Sequence, residues 1–288
     1  MLSLAKSLPE RLRIRPARAG GWALNIFLVA IGLLMLAPVY WAVVISVAPP
    51  TEAFSLPPPW LPTGISVASY GRVFDLIPLG LMALNSIKIT VIVTLGALVS
   101  SSLAAYAFAR LEFPGRDILF IVFLSALMIP TQSTVVPLFI LMSELNLINT
   151  HEAIYLPALI QVLGIFLLRQ WFLSIPRELE DAAKVDGAGH LRTLVQIIIP
   201  ISGPALSAVA IFVSQHIWND FFWPLIFLSS PEKMTIPVGL VQLQAAQAGT
   251  SATVIFAAIS MVVVPLLLLF VFAQNRITES MAMTGIRG

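Results

Sequence analysis

Two side chains in the fifth apolar stretch of the chain could do chemistry together. His216 and Asp220 stand four residues apart, and residues at this spacing share one face of a helix. An imidazole beside a carboxylate can hold a metal ion or pass a proton, but a metal site needs further ligands and no second histidine-rich segment supplies them. We therefore favour a structural polar cluster, packed against a neighbouring subunit or against the end of the bundle that carries the polar loop 175–203.

The remaining sequence carries no catalytic signature. It has no Gly-x-x-x-x-Gly-Lys-Ser/Thr phosphate loop, no Gly-x-Ser-x-Gly elbow, no His-Glu-x-x-His and no Gly-x-Gly-x-x-Gly. An intramembrane enzyme would need a fuller site than His216 with Asp220. We predict a non-enzymatic chain that binds no metal or cofactor and no nucleic acid.

The composition defines the class of protein. With 58% hydrophobic residues, 10% charged residues and a mean hydropathy of +0.95, the chain has too little polar surface for a soluble globule. Strand-like alternation is absent, and about 20 apolar residues suffice for a spanning helix. We predict an all-α polytopic membrane protein with six spans. They lie near residues 22–45, 81–108, 118–142, 152–174, 204–228 and 252–274.

The basic residues set the predicted orientation. Thirteen of the 16 lysines and arginines flank the spans on one side, and only Arg72 and Lys233 fall clearly on the other. Because basic residues stay on the cytoplasmic side, both termini are predicted inside. The first apolar stretch is too long for a signal peptide. The predicted units are a cytoplasmic segment 1–21, the membrane domain 22–274 and a cytoplasmic tail 275–288.

Several spans contain polar breaks that could border a transport pathway. The third contains the run from Pro130 to Thr134, and prolines there interrupt backbone hydrogen bonding in mid-membrane. Pro157 and Pro265 are interpreted instead as packing kinks that neighbouring helices satisfy. The candidate pathway or gate residues are Gln132, Ser133, Gln161, Gln215, Asn219 and Asp220.

The loop from 175 to 203 is the longest polar stretch in the second half of the chain. Ser174 and Pro176 are plausible start signals for a short helix, and Gly187 with Gly189 can end it. Leu179, Ala182, Ala183 and Asp186 would then form a narrow face able to enter a groove. An interfacial connector without a partner is the alternative that the spacing leaves open.

Motifs in order along the chain resemble one family. The loop reads Glu180-Asp181-Ala182-Ala183, then Asp186-Gly187-Ala188, then Pro200, and it resembles the EAA loop of ABC-importer permeases, with Asp181 where the consensus has Glu. The whole chain resembles the smaller permease of maltose-type carbohydrate importers. The other matching segments are 58–62, 85–86, 104–107, 113–116, 128–130, 218–221 with Pro224, Gln274 and 283–288.

The resemblance implies a type I ABC importer permease fold in a bacterial-type cytoplasmic membrane. It implies pairing with a second homologous permease, two ATPase subunits that bind ATP and Mg²⁺, and an extracytoplasmic solute-binding protein. The coupling residues would be Glu180, Asp181, Ala182, Ala183, Asp186, Gly187, Ala188 and Pro200. A sugar is the implied solute; another solute class, such as glycerol phosphates or amino acids, and a secondary transporter are the alternatives.

Overall fold

The computed structural model describes residues 20–49, 60–246, 251–264 and 267, and within these ranges the secondary structure is entirely helical. The predicted N-terminal segment up to residue 19, Pro265, Gln274 and the C-terminal tail lie outside the described residues.

Fourteen helices follow one another along the described residues, with short 3₁₀ turns between some of them. They are α1 (Gly20–Val47), α2 (Ala68–Leu76), α3 (Leu79–Arg110), α4 (Arg116–Ser125), α5 (Val135–Glu144), α6 (Glu152–Ala158), α7 (Val162–Ser174), α8 (Glu178–Val185), α9 (His190–Thr193), α10 (Ile199–Ile201), α11 (Gly203–Trp218), α12 (Phe222–Phe227), α13 (Ile236–Ala246) and α14 (Ala252–Val264).

Three predicted spans coincide with helical segments that are long and apolar enough to cross a membrane. These are Leu24–Val47, Leu79–Arg110 and Glu152–Ser174, the last one containing both α6 and α7. The predicted third span is a bent pair, in which Arg116–Met128 meets Thr131–Glu144 at 98°. A second bent pair joins His190–Ile201, within the predicted polar loop, to Gly203–Trp218, within the predicted fifth span, at 83°. The break predicted at Pro130 is confirmed, whereas the count of six spans and the inward termini stay predictions.

Helix α3 is the centre of the bundle. It has 32 residues without an internal proline, and α6, α7, α11 and α13 pack against it. Small residues allow close approach: a Cβ on Gly96 would lie 2.3 Å from Leu159 Cδ2, and one on Gly164 would lie 2.7 Å from Ser101 Oγ. Substitution of either glycine would therefore require the Leu159 or the Ser101 side chain to shift.

The backbone between α6 and α7 opens just after Pro157, and α3 supplies hydrogen-bond donors to it. Ser100 Oγ donates to the Leu159 carbonyl at 2.6 Å, and Ser101 Oγ donates to the Gln161 carbonyl at 3.4 Å. Buried carbonyl groups without partners are costly in a membrane. These bonds support the interpretation of Pro157 as a kink beside which a neighbouring helix satisfies the open backbone.

The end of α3 opposite Arg110 is fixed to the segment between α12 and α13. Asn85 Nδ2 donates to the carbonyls of Glu232 at 2.8 Å and Met234 at 3.0 Å, and the Ile236 N–H donates to Ser86 Oγ at 2.9 Å. Helices α2 and α13 were not expected from the sequence, because both lie in segments assigned to loops between spans.

Candidate functional site

The predicted short helix of the polar loop exists as α8. It spans eight residues, and Glu178, Glu180 and Asp181 place negative charge in its first turn, where the helix dipole favours it. The proposed start signal at Ser174 is wrong. Ser174 ends α7 and its hydroxyl donates to the Trp171 carbonyl at 2.7 Å, so α8 begins without a side-chain cap.

The end of α8 is a left-handed glycine turn. Gly187 has φ +78°, its N–H donates to the Lys184 carbonyl at 3.0 Å, and the Ala188 N–H donates to the Ala183 carbonyl at 2.9 Å. This pair of bonds is the Schellman motif, in which glycine is favoured because it has no Cβ. The sequence-based assignment of Gly187 as the helix end is confirmed.

The two sides of α8 differ in their surroundings. Ala183 is 6% exposed and faces the interior of this chain, whereas Val185 is 88% exposed and Leu179 is 44% exposed. Ala182 and Asp186 are exposed too. The predicted face of Leu179, Ala182, Ala183 and Asp186 is therefore only partly free, because Ala183 packs against the rest of this chain. The free apolar face consists of Leu179, Ala182 and Val185, and we call it the outer face of α8.

A buried ion pair fastens the inner side of α8 to α3. Glu180 Oε1 lies 2.8 Å from Arg110 Nε, and both side chains are less than a tenth exposed. These two atoms form an ion pair, but their geometry is not that of a hydrogen bond. Tyr106 donates its hydroxyl to Glu180 Oε2 at 3.3 Å. Arg110 Nη2 also donates to the carbonyls of Phe172 at 2.6 Å and Ile175 at 2.5 Å. We call Tyr106, Arg110 and Glu180 the buried polar cluster.

The segment after α8 turns back towards the bundle. It runs from His190 through a π-helical turn at Leu194–Ile198 to Ile201, and α11 then leaves at 83°. Thr193, Leu194 and Ile198 are buried, whereas Leu191, Val195 and Pro200 are exposed. This segment therefore has one buried side and one exposed side.

Two cavities lie beside α11. The first, of about 250 Å³, is lined by Gln161, His216 and Asp220, with Trp223 and Phe227 among its apolar walls. The second, of about 470 Å³, is lined by Gln161, Gln215 and His216 together with apolar residues. The structure thus brings Gln161, Gln215, His216 and Asp220 to neighbouring spaces. His216 was not among the predicted pathway residues, because the sequence favoured a structural polar cluster over a metal or proton site for it.

Asp220 does not lie within a spanning helix. α11 ends at Trp218, and Asp220 Oδ1 accepts hydrogen bonds from the N–H groups of Phe222 at 3.0 Å and Trp223 at 3.4 Å at the start of α12. The assumption that His216 and Asp220 occupy one helix is wrong, since Asp220 caps the next helix. No group of three metal-binding side chains occurs in the part of the chain that the structure describes.

The other predicted pathway residues lie outside these cavities. Gln132 and Ser133 are exposed in the turn between α4 and α5. Asn219 is exposed and its Nδ2 donates to the Gln215 carbonyl at 2.8 Å. Only Thr134 from this turn reaches the first cavity. The cavities provide polar and aromatic groups for non-covalent contact with a small molecule. No residue of α8 lines either cavity.

Comparison with known proteins defines the class of this membrane protein. Residues 92–282 match the family described as binding-protein-dependent transport system inner membrane component. The chain is 37% identical over 204 residues to an arabinooligosaccharides transport system permease protein, AraQ, of Halalkalibacterium halodurans. The aligned residues cover 71% of this chain and 73% of that protein. It is 33% identical over 264 residues to the trehalose/maltose transport system permease protein MalG of Thermococcus litoralis, covering 90% and 94%.

A solved structure agrees in fold. A chain of a bacterial ABC transporter involved in the import of the acidic polysaccharide alginate superposes with a TM-score of 0.77 at 24% identity, covering 88% of this chain and 95% of that chain. The protein belongs to the binding-protein-dependent transport system inner membrane components. The resemblance to ABC-importer permeases is confirmed, and the chain is an integral membrane protein with the permease fold.

Proposed function

We propose that this chain is one permease subunit of an ATP-driven sugar importer in the cytoplasmic membrane. It pairs with a second permease, receives solute from an extracytoplasmic binding protein and is driven by two ATPase subunits that hold ATP and Mg²⁺. The relatives named above support the sugar class, since their names refer to arabinooligosaccharides, trehalose and maltose. Movement of α8 by the ATPases would alternate the access of a shared cavity.

The observation that carries this proposal is the outer face of α8. Val185 and Leu179 are apolar, exposed and mounted on a helix whose opposite side is fixed by buried contacts. Burial of a valine or leucine side chain stabilises a contact by about 1.5 to 3 kcal/mol. A rigid short helix with an uncovered apolar side is suited to a groove in a partner protein.

The cavities beside α11 support a sugar as the solute. Gln161, His216 and Asp220 offer donors and acceptors for hydroxyl groups, and the Trp223 ring, stacked on Phe227 at 5.5 Å between centroids, offers an apolar surface. Ligand sites combine a mostly apolar lining with a few polar groups in this way. With Gln132, Ser133, Gln215 and Asn219, these residues are the proposed pathway or gate.

Cross-linking tests the docking of α8. In the complete complex with its own ATPase, Val185→Cys is expected to cross-link to that subunit, and Val185→Asp is expected to reduce ATPase co-purification at least tenfold. Ile65 is a matched control because it is 82% exposed and apolar but lies before α2. Absence of a cross-link from Val185→Cys would contradict the proposal. Equal losses of ATPase co-purification in Val185→Asp and Ile65→Asp would also contradict it.

An uptake panel tests the solute class. Proteoliposomes containing the whole importer and its binding protein are supplied with labelled arabino-oligosaccharide, maltose, trehalose, glycerol phosphate and an amino acid in turn. ATP-dependent accumulation of a sugar is expected. Accumulation of glycerol phosphate or the amino acid alone would assign the chain to another solute class, and accumulation driven by an ion gradient without ATP would identify a secondary transporter.

A further inference from the structure

We propose that the buried polar cluster is the joint through which motion of α8 reaches the helices around the cavities, with Arg110 as its positioning residue. This inference rests on the proposed function, because it assumes that a partner moves α8. It goes further in assigning a mechanical role to Tyr106, Arg110 and Glu180, of which only Glu180 belongs to the loop.

The first step is that one guanidinium group connects three helices. Arg110 is the last residue of α3; it pairs with Glu180 of α8 and donates to the carbonyls of Phe172, in the last turn of α7, and Ile175, just after it. The planar guanidinium presents several donors in a fixed fork. α8 therefore cannot be displaced from α3 or α7 without breaking a charged contact.

The second step is that this contact is shielded from water. The side chains of Arg110 and Glu180 are 4% and 8% exposed, whereas the neighbouring pair Arg116 with Asp117 is 26% and 68% exposed at 3.2 Å. An exposed pair is weakened by solvent and salt, but separation of a buried pair leaves uncompensated charge. Arg110 and Glu180 should therefore stay paired and move together when α8 moves.

The third step is that α3 carries the motion onwards. α3 is continuous over 32 residues and packs along α7 and α11, and both of these helices line the second cavity. At its far end, Asn85 and Ser86 hold the segment from Glu232 to Ile236. A displacement at α8 thus has an unbroken path of packed helix to the cavity walls and to the opposite end of the bundle.

The test separates coupling from docking in the complete reconstituted importer. Arg110→Met combined with Glu180→Gln removes both charges and leaves an acceptor for the Tyr106 hydroxyl, so no buried charge lacks a partner. We expect cross-linking of Val185→Cys to the ATPase and ATP hydrolysis within twofold of the parent, but at least tenfold less solute transported per ATP. Arg116→Met, which opens the exposed pair, is the matched control and should leave this ratio unchanged.

Transport per ATP is the deciding quantity because a merely structural defect lowers the amount of folded complex but not the ratio per complex. An unchanged ratio of solute transported per ATP in the double variant would overturn the proposal that the cluster is a joint. Loss of the Val185 cross-link in the double variant, with the parent cross-linking normally, would also overturn it and show that the cluster only presents α8 for docking. Absence of the cross-link in the parent would instead refute the proposed function.

A charge exchange makes a second, independent test. Arg110→Glu with Glu180→Arg preserves the ion pair in reverse, but a carboxylate at position 110 cannot donate to the carbonyls of Phe172 and Ile175. We expect the exchanged pair to stay uncoupled, with the same low ratio as the double variant. Full recovery of transport per ATP would show that the pair acts without its link to α7 and would overturn the three-helix joint.

Discussion

Gly187→Val is expected to impair transport by straining the backbone at the end of α8. Gly187 has φ +78°, and no heavy atom lies within 4 Å of the position where a Cβ would be placed. The substitution therefore creates no steric clash with neighbouring helices. Its whole effect comes from forcing a β-branched residue into the left-handed region, which costs about 1 to 2 kcal/mol or more.

The effect of Gly187→Val is confined to the last turn of α8. The hydrogen bonds from Gly187 and Ala188 to the Lys184 and Ala183 carbonyls close the last turn of an eight-residue helix. A cost of about 1 to 2 kcal/mol lowers the population of the closed turn relative to the open one by about 5- to 30-fold. Membrane insertion should be normal, because the turn lies in the loop between spans.

The assay is solute-stimulated ATP hydrolysis and uptake by the reconstituted importer. Both are expected to fall together for Gly187→Val, and Gly187→Asn should recover most activity because asparagine adopts the left-handed conformation more readily. Gly189→Ser is the matched control: Gly189 has φ −76° and precedes α9, where serine is a favourable cap. Wild-type rates for Gly187→Val, or equal losses for asparagine and valine, would refute this reasoning.

Three further outcomes are expected. Asp220→Asn should keep the cap on α12 and most transport, whereas Asp220→Leu should lose about 1 kcal/mol of helix stabilisation and impair uptake; equal damage in the uptake assay would show that the charge itself is required. Ala183→Trp should reduce the yield of folded protein, measured by size-exclusion chromatography, because Ala183 is 6% exposed, and Ala182→Trp should spare yield but reduce ATPase cross-linking; the reverse order would contradict the assigned faces. Ser229→Cys should label with an impermeant maleimide in intact cells and Ala188→Cys should not, and labelling of Ala188 would reverse the orientation.

Much of the fold follows from local sequence. The apolar stretches give the spanning helices, Pro130 gives the break between α4 and α5, and Gly187 gives the end of α8. Each of these depends on residues within one or two helical turns. The bends of 98° and 83° do not follow, because the angle between two helices is set by what packs against them.

The buried polar cluster was missed for a different reason. Glu180 was predicted to be a coupling residue of a loop helix, and its partners lie about seventy residues earlier in the chain. One signal was present: Tyr106 and Arg110 are four residues apart at the end of an apolar span, so they share a helix face. A polar face at that point implies a polar partner, but not which one.

Asp220 could have been placed correctly from the sequence. An aspartate just before an apolar helix is a common start signal. The long apolar run from 204 to 228 obscured it, because hydropathy alone favours one continuous span. Capping chemistry was the more informative guide at this position.

The length of α3 makes bilayer thickness a variable in the working of this protein. Its 32 residues extend about 48 Å at about 1.5 Å per residue, whereas a hydrocarbon core is about 30 Å thick. Even a tilt of about 40° leaves a projection of about 37 Å, so at least one end stands among the lipid headgroups. A thicker membrane would draw Arg110 and its neighbours towards hydrocarbon, where charged groups are costly. Lipid composition would then alter the surroundings of the Arg110–Glu180 ion pair, which fastens α8 to the bundle.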